Sequence, residues 1–260
     1  MNSGYVILAQ NTETTDYVKC SEALALSLKR TMPNCHITLI SNNITKSKYI
    51  DKIVKLPYGD LTGYYNDWQV YEASPYEYTI KLEADLYIPI SINYWWDVLK
   101  QRDLVISTTI RNFKQEISNV RGYRRFVDDN NLPDTYNAIT YFRKSILAEQ
   151  FFKLVKNIFE NWDDYKSNFK CNIDEKPTTD FVYSIASHII GVEKTTLPQF
   201  KAMSMVHMKQ FINGLPTENW TDTLVYEILP HTLRINTMPQ LYPFHYYNKT
   251  FADKILKALS

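Results

Sequence analysis

Residues Tyr78–Ile90 read YTIKLEADLYIPI. Aromatic and β-branched residues lead into Leu82, so the stretch predicts a strand. Glu83 and Asp85 then stand in an otherwise apolar run with only Ala84 between them. Charge in a sheet is costly unless it is paired or bound to a cation. Residues two apart on a strand share a face, so this E-x-D spacing predicts two carboxylates that address one ion. Solvated charge at a strand end is the plainer reading of the same pair.

The segments on either side say what kind of sheet this strand joins. YVILAQ from Tyr5 is a short β-type run, and DYVKCSEALALSLKR sets Tyr17, Ser21, Leu24 and Leu28 on one helical face. Asp16 is the expected N-cap, and Pro33 closes the segment. HITLIS, KIVKLP and DLVISTTI read as further strands, and DWQVYEASPY as a helix ending near Pro75. This β-α-β-α-β order predicts an α/β fold, a mostly parallel sheet with helices on both faces. Ligands of such sheets bind beyond the carboxyl ends of the strands. Glu83 and Asp85 lie toward that end, and the loop AQNTETTD opens on the same side.

The second half is less regular. Residues 111–136 form a polar, aromatic and basic loop, and a loop of that length is usually functional or mobile. ILAEQFFKLVKNIFENW carries Leu147, Phe151, Leu154 and Ile158 on one stripe. TTDFVYSIASHII is a second helix with Thr178 or Thr179 as cap, and AMSMVHM reads as a strand. Short strands and a final helix complete a mixed C-terminal elaboration. With no repeat or clear linker, residues 1–260 read as one domain.

Composition narrows the function classes. A hydrophobic fraction of 45% and a charged fraction of 22% describe a globular chain. The net charge of +1 supplies no global field for nucleic acid, although a local patch is still open. Three separated cysteines form no disulfide framework and no metal spacing, which favours a cytoplasmic setting. The N-terminus lacks the pattern of a signal peptide, and no apolar run is long enough for a membrane span. There is neither a P-loop nor a G-x-G-x-x-G.

Several stretches together resemble the glycogenin-like glycosyltransferases. These are VILAQNTETTDYVKCSEALALSLKRTMPNCHITLIS, the acidic strand YTIKLEADLYI, TYNAITYFRKS, PTTDFVYSIA and MVHMK, spanning roughly residues 4–210. The resemblance implies a GT-A, Rossmann-like fold and a nucleotide-diphosphate sugar donor, with UDP the expected nucleotide. It also implies a divalent cation, Mn2+ or Mg2+. Carried over position by position, it makes Glu83, Asp85 and His207 ligands of metal or diphosphate. Ala9, Asn11 and Tyr17 fall near base and ribose, and Lys209, the nearest cation after the histidine, is the candidate to neutralise phosphate charge. Asp180 and Asn137 face the sugar or the reaction centre. The chain departs from the pattern at Asp67, where the family often has a basic residue, and it lacks the glycine and lysine after the histidine.

The chemistry suits those residue types. As a diphosphate leaves, charge grows on it, and a cation held by carboxylates absorbs that charge. Mixed oxygen and nitrogen ligation favours manganese over calcium. For the acceptor, cations interleaved with aromatics in the loop, above all Arg121, Arg124 and Arg125, fit a phosphate backbone. Arg143 and Lys144 join them if the next strand returns to the same edge. The chain's Asn-, Lys-, Ile- and Tyr-rich composition suits a bacteriophage or bacterial cytoplasmic protein, and together with this loop it suggests a hydroxymethylpyrimidine in phage DNA as acceptor, in the host cytoplasm if the chain is phage-encoded. A saccharide or protein hydroxyl is the alternative. A silent nucleotide-sugar-binding module, a nucleotidyltransferase and a non-enzymatic nucleic-acid binder are the rival classes.

Overall fold

The computed structural model describes residues 2–43, 46–61, 66–120, 124–170 and 177–260. Its central sheet has six strands: β1 (Ser3–Leu8), β2 (Ile37–Ile40), β3 (Lys52–Val54), β4 (Tyr78–Glu83), β6 (Leu104–Ser107) and β8 (Tyr136–Arg143). They lie in the order β3-β2-β1-β4-β8-β6. The β1–β2, β1–β4 and β2–β3 pairs are parallel, and β8 runs antiparallel to both β4 and β6. The expected mostly parallel sheet is therefore present, with one reversed strand inserted.

Alternation along the strands builds two cores. Tyr5 and Ile7 of β1, with Ile80 and Leu82 of β4, face one apolar cluster, while Val6 faces the other. The helix Tyr17–Thr31 covers the first face. Asp16 caps it as expected, its carboxylate accepting from Lys19 N–H at 3.0 Å. The helices Ile146–Glu160 and Thr179–Ile190 cover the second face. In the first of these, Phe151, Phe152, Val155 and Ile158 carry the burial, a stripe rotated slightly from the expected one. Thr178 caps the other.

The long acidic strand is broken. β4 ends at Glu83, Ala84 and Asp85 form a turn, and the chain re-enters extended structure as β5 (Leu86–Tyr87). β5 belongs to a second sheet with β7 (Ile110–Arg111), β9 (Met205–His207) and β13 (Phe244–His245), in the order β5-β13-β9-β7. DLVISTTI divides in the same way, between β6 and β7. A third, antiparallel sheet joins β10 (Tyr226–Leu229), β11 (Thr232–Ile235) and β12 (Met238–Pro239). The C-terminal helix Phe251–Leu259 buries Phe251, Ala252, Ile255 and Leu259 in the same core as the helix Tyr17–Thr31. Among the described residues no helix is long and apolar enough to cross a membrane.

Candidate active site

Register aligns the parts of the site. Leu8 pairs with Glu83, so β1 and β4 end level and the loop after Leu8 leaves beside the acidic turn. Leu82 pairs with Ile139 of β8, which brings Asn137 to the same edge. In the second sheet His245 pairs with Leu86 on one side and His207 on the other. The topology thus gathers segments that are over 160 residues apart in sequence at one edge.

Asp85 is buried, and its Oδ2 lies 2.7 Å from His245 Nε2. Glu83 Oε2 lies 3.7 Å from the same nitrogen. One donor atom from each of Glu83, Asp85 and His245 falls within 4.8 Å of the others. Two carboxylate oxygens and an imidazole nitrogen converging this closely fit a hard to borderline divalent cation. The convergence comes from the turn and from β13, because Asp85 stands outside the strand that would have aligned it with Glu83.

His207 stands one ring further back. Its ring lies nearly parallel to that of His245, with centroids 4.5 Å apart and an interplanar angle of 5°. The two Nδ1 atoms are 2.7 Å apart, so one carries the shared hydrogen. Burial, then the neighbouring His245 and Lys209, push the His207 pKa well below the usual imidazole range and keep the ring neutral. A cation held at His245 Nε2 would leave the hydrogen of that ring on Nδ1, where His207 Nδ1 would accept it. His245, rather than the expected His207, therefore faces the acids, and His207 lies behind it against the His245 ring.

Lys249 ion-pairs with Asp85 Oδ2. Burial raises the Asp85 pKa taken alone, but His245 and Lys249 outweigh it and hold the carboxylate well below its ordinary value. Burial would lower Lys249, and Asp85 outweighs it and raises the ammonium. Glu83 behaves oppositely: desolvation raises its carboxyl pKa, although 30% of its side chain stays open to solvent, with His245 and Lys81 opposing the rise. Desolvation lowers Lys209, against the pull of Asp180 and Glu83, so Lys209 belongs to the same charge cluster.

The remaining expected residues divide into those at the centre and those that build it. Asp180 Oδ1 accepts the Asn137 backbone N–H at 2.8 Å, and its Oδ2 accepts from Arg124 at 3.1 Å. Both carboxylate oxygens thus have protein partners. Tyr17 approaches through Lys249, whose Nζ is 5.7 Å from its ring centroid. Asn11 Oδ1 accepts Val18 N–H at 2.9 Å and so helps to cap the first helix. Ala9 is 1% exposed, with its N–H bonded to Ile40 O.

The basic loop is corrected at several positions. Arg124 is 1% exposed, paired with Asp134 and Asp180 and bonded to Thr135 O, so it ties the loop to the core and presents no charge to an acceptor. Arg125 is exposed at the start of the short helix Arg125–Asp129. Arg121 lies outside the described residues. Arg143 pairs with Tyr78, at the opposite end of β4 from Glu83, so Arg143 and Lys144 do not join the site edge. Arg111 bonds Ser204 and Gln115 O and stacks 4.0 Å from the Tyr242 centroid.

Asp67, where a basic residue was expected, has its cation on the strand. Lys81 Nζ meets Asp67 Oδ1 at 2.9 Å and Asn137 O at 3.1 Å. Tyr183 OH donates to Asp67 at 3.3 Å. Lys81 shares a strand face with Glu83, two residues on, so this buried pair lies directly beneath the acidic edge.

Sequence reasoning missed His245, Lys249 and Lys81. The FHYYNK stretch offered a histidine and a lysine four apart, but β13 is too short to produce a periodic signal.

The whole chain superposes on the galactosyltransferase LgtC, solved with donor and acceptor sugar analogs. The TM-score is 0.52 at 13% identity, covering 99% of this chain and 96% of that one. The glycosyltransferase GlyE of Streptococcus pneumoniae TIGR4 matches 76% of this chain at 13% identity with a TM-score of 0.46. The bifunctional glycosyltransferase WbbM matches the same share at 13% identity and 0.47. The chain spans only 45% of GlyE and 39% of WbbM. No protein-family model and no curated protein sequence matches the chain. The full-length superposition and the sheet order define a GT-A fold, mostly parallel with a mixed C-terminal elaboration.

Proposed function

We propose that the chain is a glycosyltransferase that takes a sugar from a uridine-diphosphate donor, with manganese, and passes it to a hydroxyl of a saccharide. The observation that carries this reading is the convergence of Glu83, Asp85 and His245 at the carboxyl end of β4. A nucleotidyltransferase is disfavoured because the loop after β1 has no Gly, Arg or Lys between Ala9 and Asp16.

A divalent ion bound by Glu83, Asp85 and His245 would supply Lewis-acid neutralisation of the departing diphosphate. Lys209 and Lys249 bring ammonium groups to the same anion. Asp180 holds the Asn137 backbone at the edge, and through it orients the Asn137 amide toward the sugar. The turn at Ala84 and Asp85, clasped by β13, keeps the acids in place before substrate arrives, which removes reorganisation from the reaction. Free Cys20 and Cys35 suit a cytoplasmic enzyme, and residues 1–260 would act as one unit, because the site draws on β4, β8, β9 and β13.

A hydroxylated base in phage DNA is the second acceptor reading. Its support is reduced to Arg125, together with Arg121 outside the described residues, because Arg124 is buried. Thermal-shift measurements across nucleotide sugars, with and without manganese, test the donor. A ligand at a hundredfold excess over its Kd stabilises by about 2.7 kcal/mol. Transfer to oligosaccharide and to hydroxymethylated DNA across a salt series tests the acceptor. DNA contacts weaken binding by about 0.9 log units per log unit of salt for each phosphate. Binding of UDP-sugar without transfer to any hydroxyl would leave a nucleotide-sugar-binding module. The absence of any manganese-dependent shift would overturn the donor assignment.

A further inference from the structure

Tyr247 has a backbone φ of 59°, in the left-handed region. That region favours glycine, and a bulky aromatic adopts it only when its surroundings demand it. Two residues before it, His245 is locked into β13; two residues after it, Lys249 reaches Asp85. The left-handed turn lets the chain pass between these anchors. Glycine would serve the turn without strain, so backbone geometry alone gives no reason for tyrosine.

The ring supplies the reason. Lys249 Nζ is 5.4 Å from the Tyr247 centroid and Lys209 Nζ is 5.8 Å away. The Tyr247 and His207 ring centroids are 6.2 Å apart, with the rings at 86°. One aromatic quadrupole therefore contacts two ammonium groups that come from different elements and repel each other, and both distances lie within cation–π range. It also borders the histidine that supports His245.

Resting on the donor reading above, we propose that Tyr247 is a positioning residue. Its ring holds Lys209 and Lys249 as a pair beside the acid cluster, so that both engage one diphosphate group. The strained backbone is retained because it aims the ring.

Three substitutions separate the ring from the backbone. Tyr247→Phe keeps the ring and its quadrupole. Tyr247→Gly removes the ring and relaxes the turn. Tyr247→Leu removes the quadrupole and keeps apolar bulk at the strained position. Calorimetric titration with inorganic pyrophosphate and with UDP, each with manganese, reads affinity, and urea unfolding reads stability. Phe should bind within about threefold of wild type, and Gly and Leu should each bind about tenfold more weakly, the scale of two cation–π contacts. Gly should also unfold at the same or a higher urea concentration than Leu. A Gly variant that binds like wild type, or a Phe variant that loses as much as Gly, overturns the role of the ring while the donor reading stands. Wild-type protein that binds neither pyrophosphate nor UDP overturns the donor reading, and this proposal with it.

Discussion

Replacing Lys81 by methionine isolates the buried charge beneath the acidic edge. The Lys81 and Asp67 side chains are 3% and 6% exposed, and Nζ to Oδ1 is 2.9 Å. Solvent screening is therefore weak, and in Lys81→Met the Asp67 carboxylate stays buried with the Tyr183 hydroxyl beside it, at 3.3 Å. Breaking one side of a buried pair costs about 3–5 kcal/mol. Lys81→Met should lose an amount in that range in equilibrium urea unfolding followed by tryptophan fluorescence. The double variant Lys81→Met/Asp67→Leu removes both charges and should regain most of the loss, since apolar replacements of buried pairs are often neutral or better. Transfer activity should behave differently. Lys81 Nζ also donates to Asn137 O at 3.1 Å, so the double variant restores the fold without restoring that anchor. A single variant that loses less than about 1 kcal/mol, or a double variant as unstable as the single, would refute the assignment of a desolvated pair.

Other outcomes test the site and its frame. Manganese affinity should fall more in His245→Ala than in His207→Ala, for which loss of ligand support predicts about 10- to 100-fold; an equal or larger loss at His207 would make it the direct ligand. Arg124→Met should destabilise the fold by several times more than Arg125→Ala, whose exposed side chain should change unfolding by less than about 0.5 kcal/mol. If the two differ only in DNA affinity, Arg124 is an acceptor contact after all. Burial raises the Asp51 pKa on its own, but its bonds to Lys29 and Ile37 N–H outweigh that and lower it. The unfolded chain then binds the extra proton first, so this stabilisation is complete above the ordinary carboxylate pKa and disappears as pH falls through the depressed folded value. Acid unfolding of Asp51→Asn should show a shallower pH slope below about pH 4, and an unchanged slope would remove Asp51 from the linkage.

Local regularities were readable from sequence because they repeat or sit next to each other along the chain. The β-type runs Tyr5–Leu8 and Tyr78–Leu82, the Asp16 and Thr178 caps, and the stripe around Phe151 and Ile158 are each local features that need no distant partner. They suffice for a mostly parallel α/β sheet with acids at its carboxyl edge. What the acids touch could not be read in the same way. The break after Glu83 exists because Leu86 and Tyr87 pair with β13, almost 160 residues later, and the exposure of Arg124 was lost to Asp134 and Asp180. Which histidine faces the carboxylates depends on the register between β9 and β13, a pairing of two- and three-residue strands too short to carry a pattern. The parallel part of the sheet and its acidic edge are therefore legible in the sequence, since they follow from contacts within a few residues. That His245 and Lys249 complete that edge is not, because long-range strand pairing brings them there.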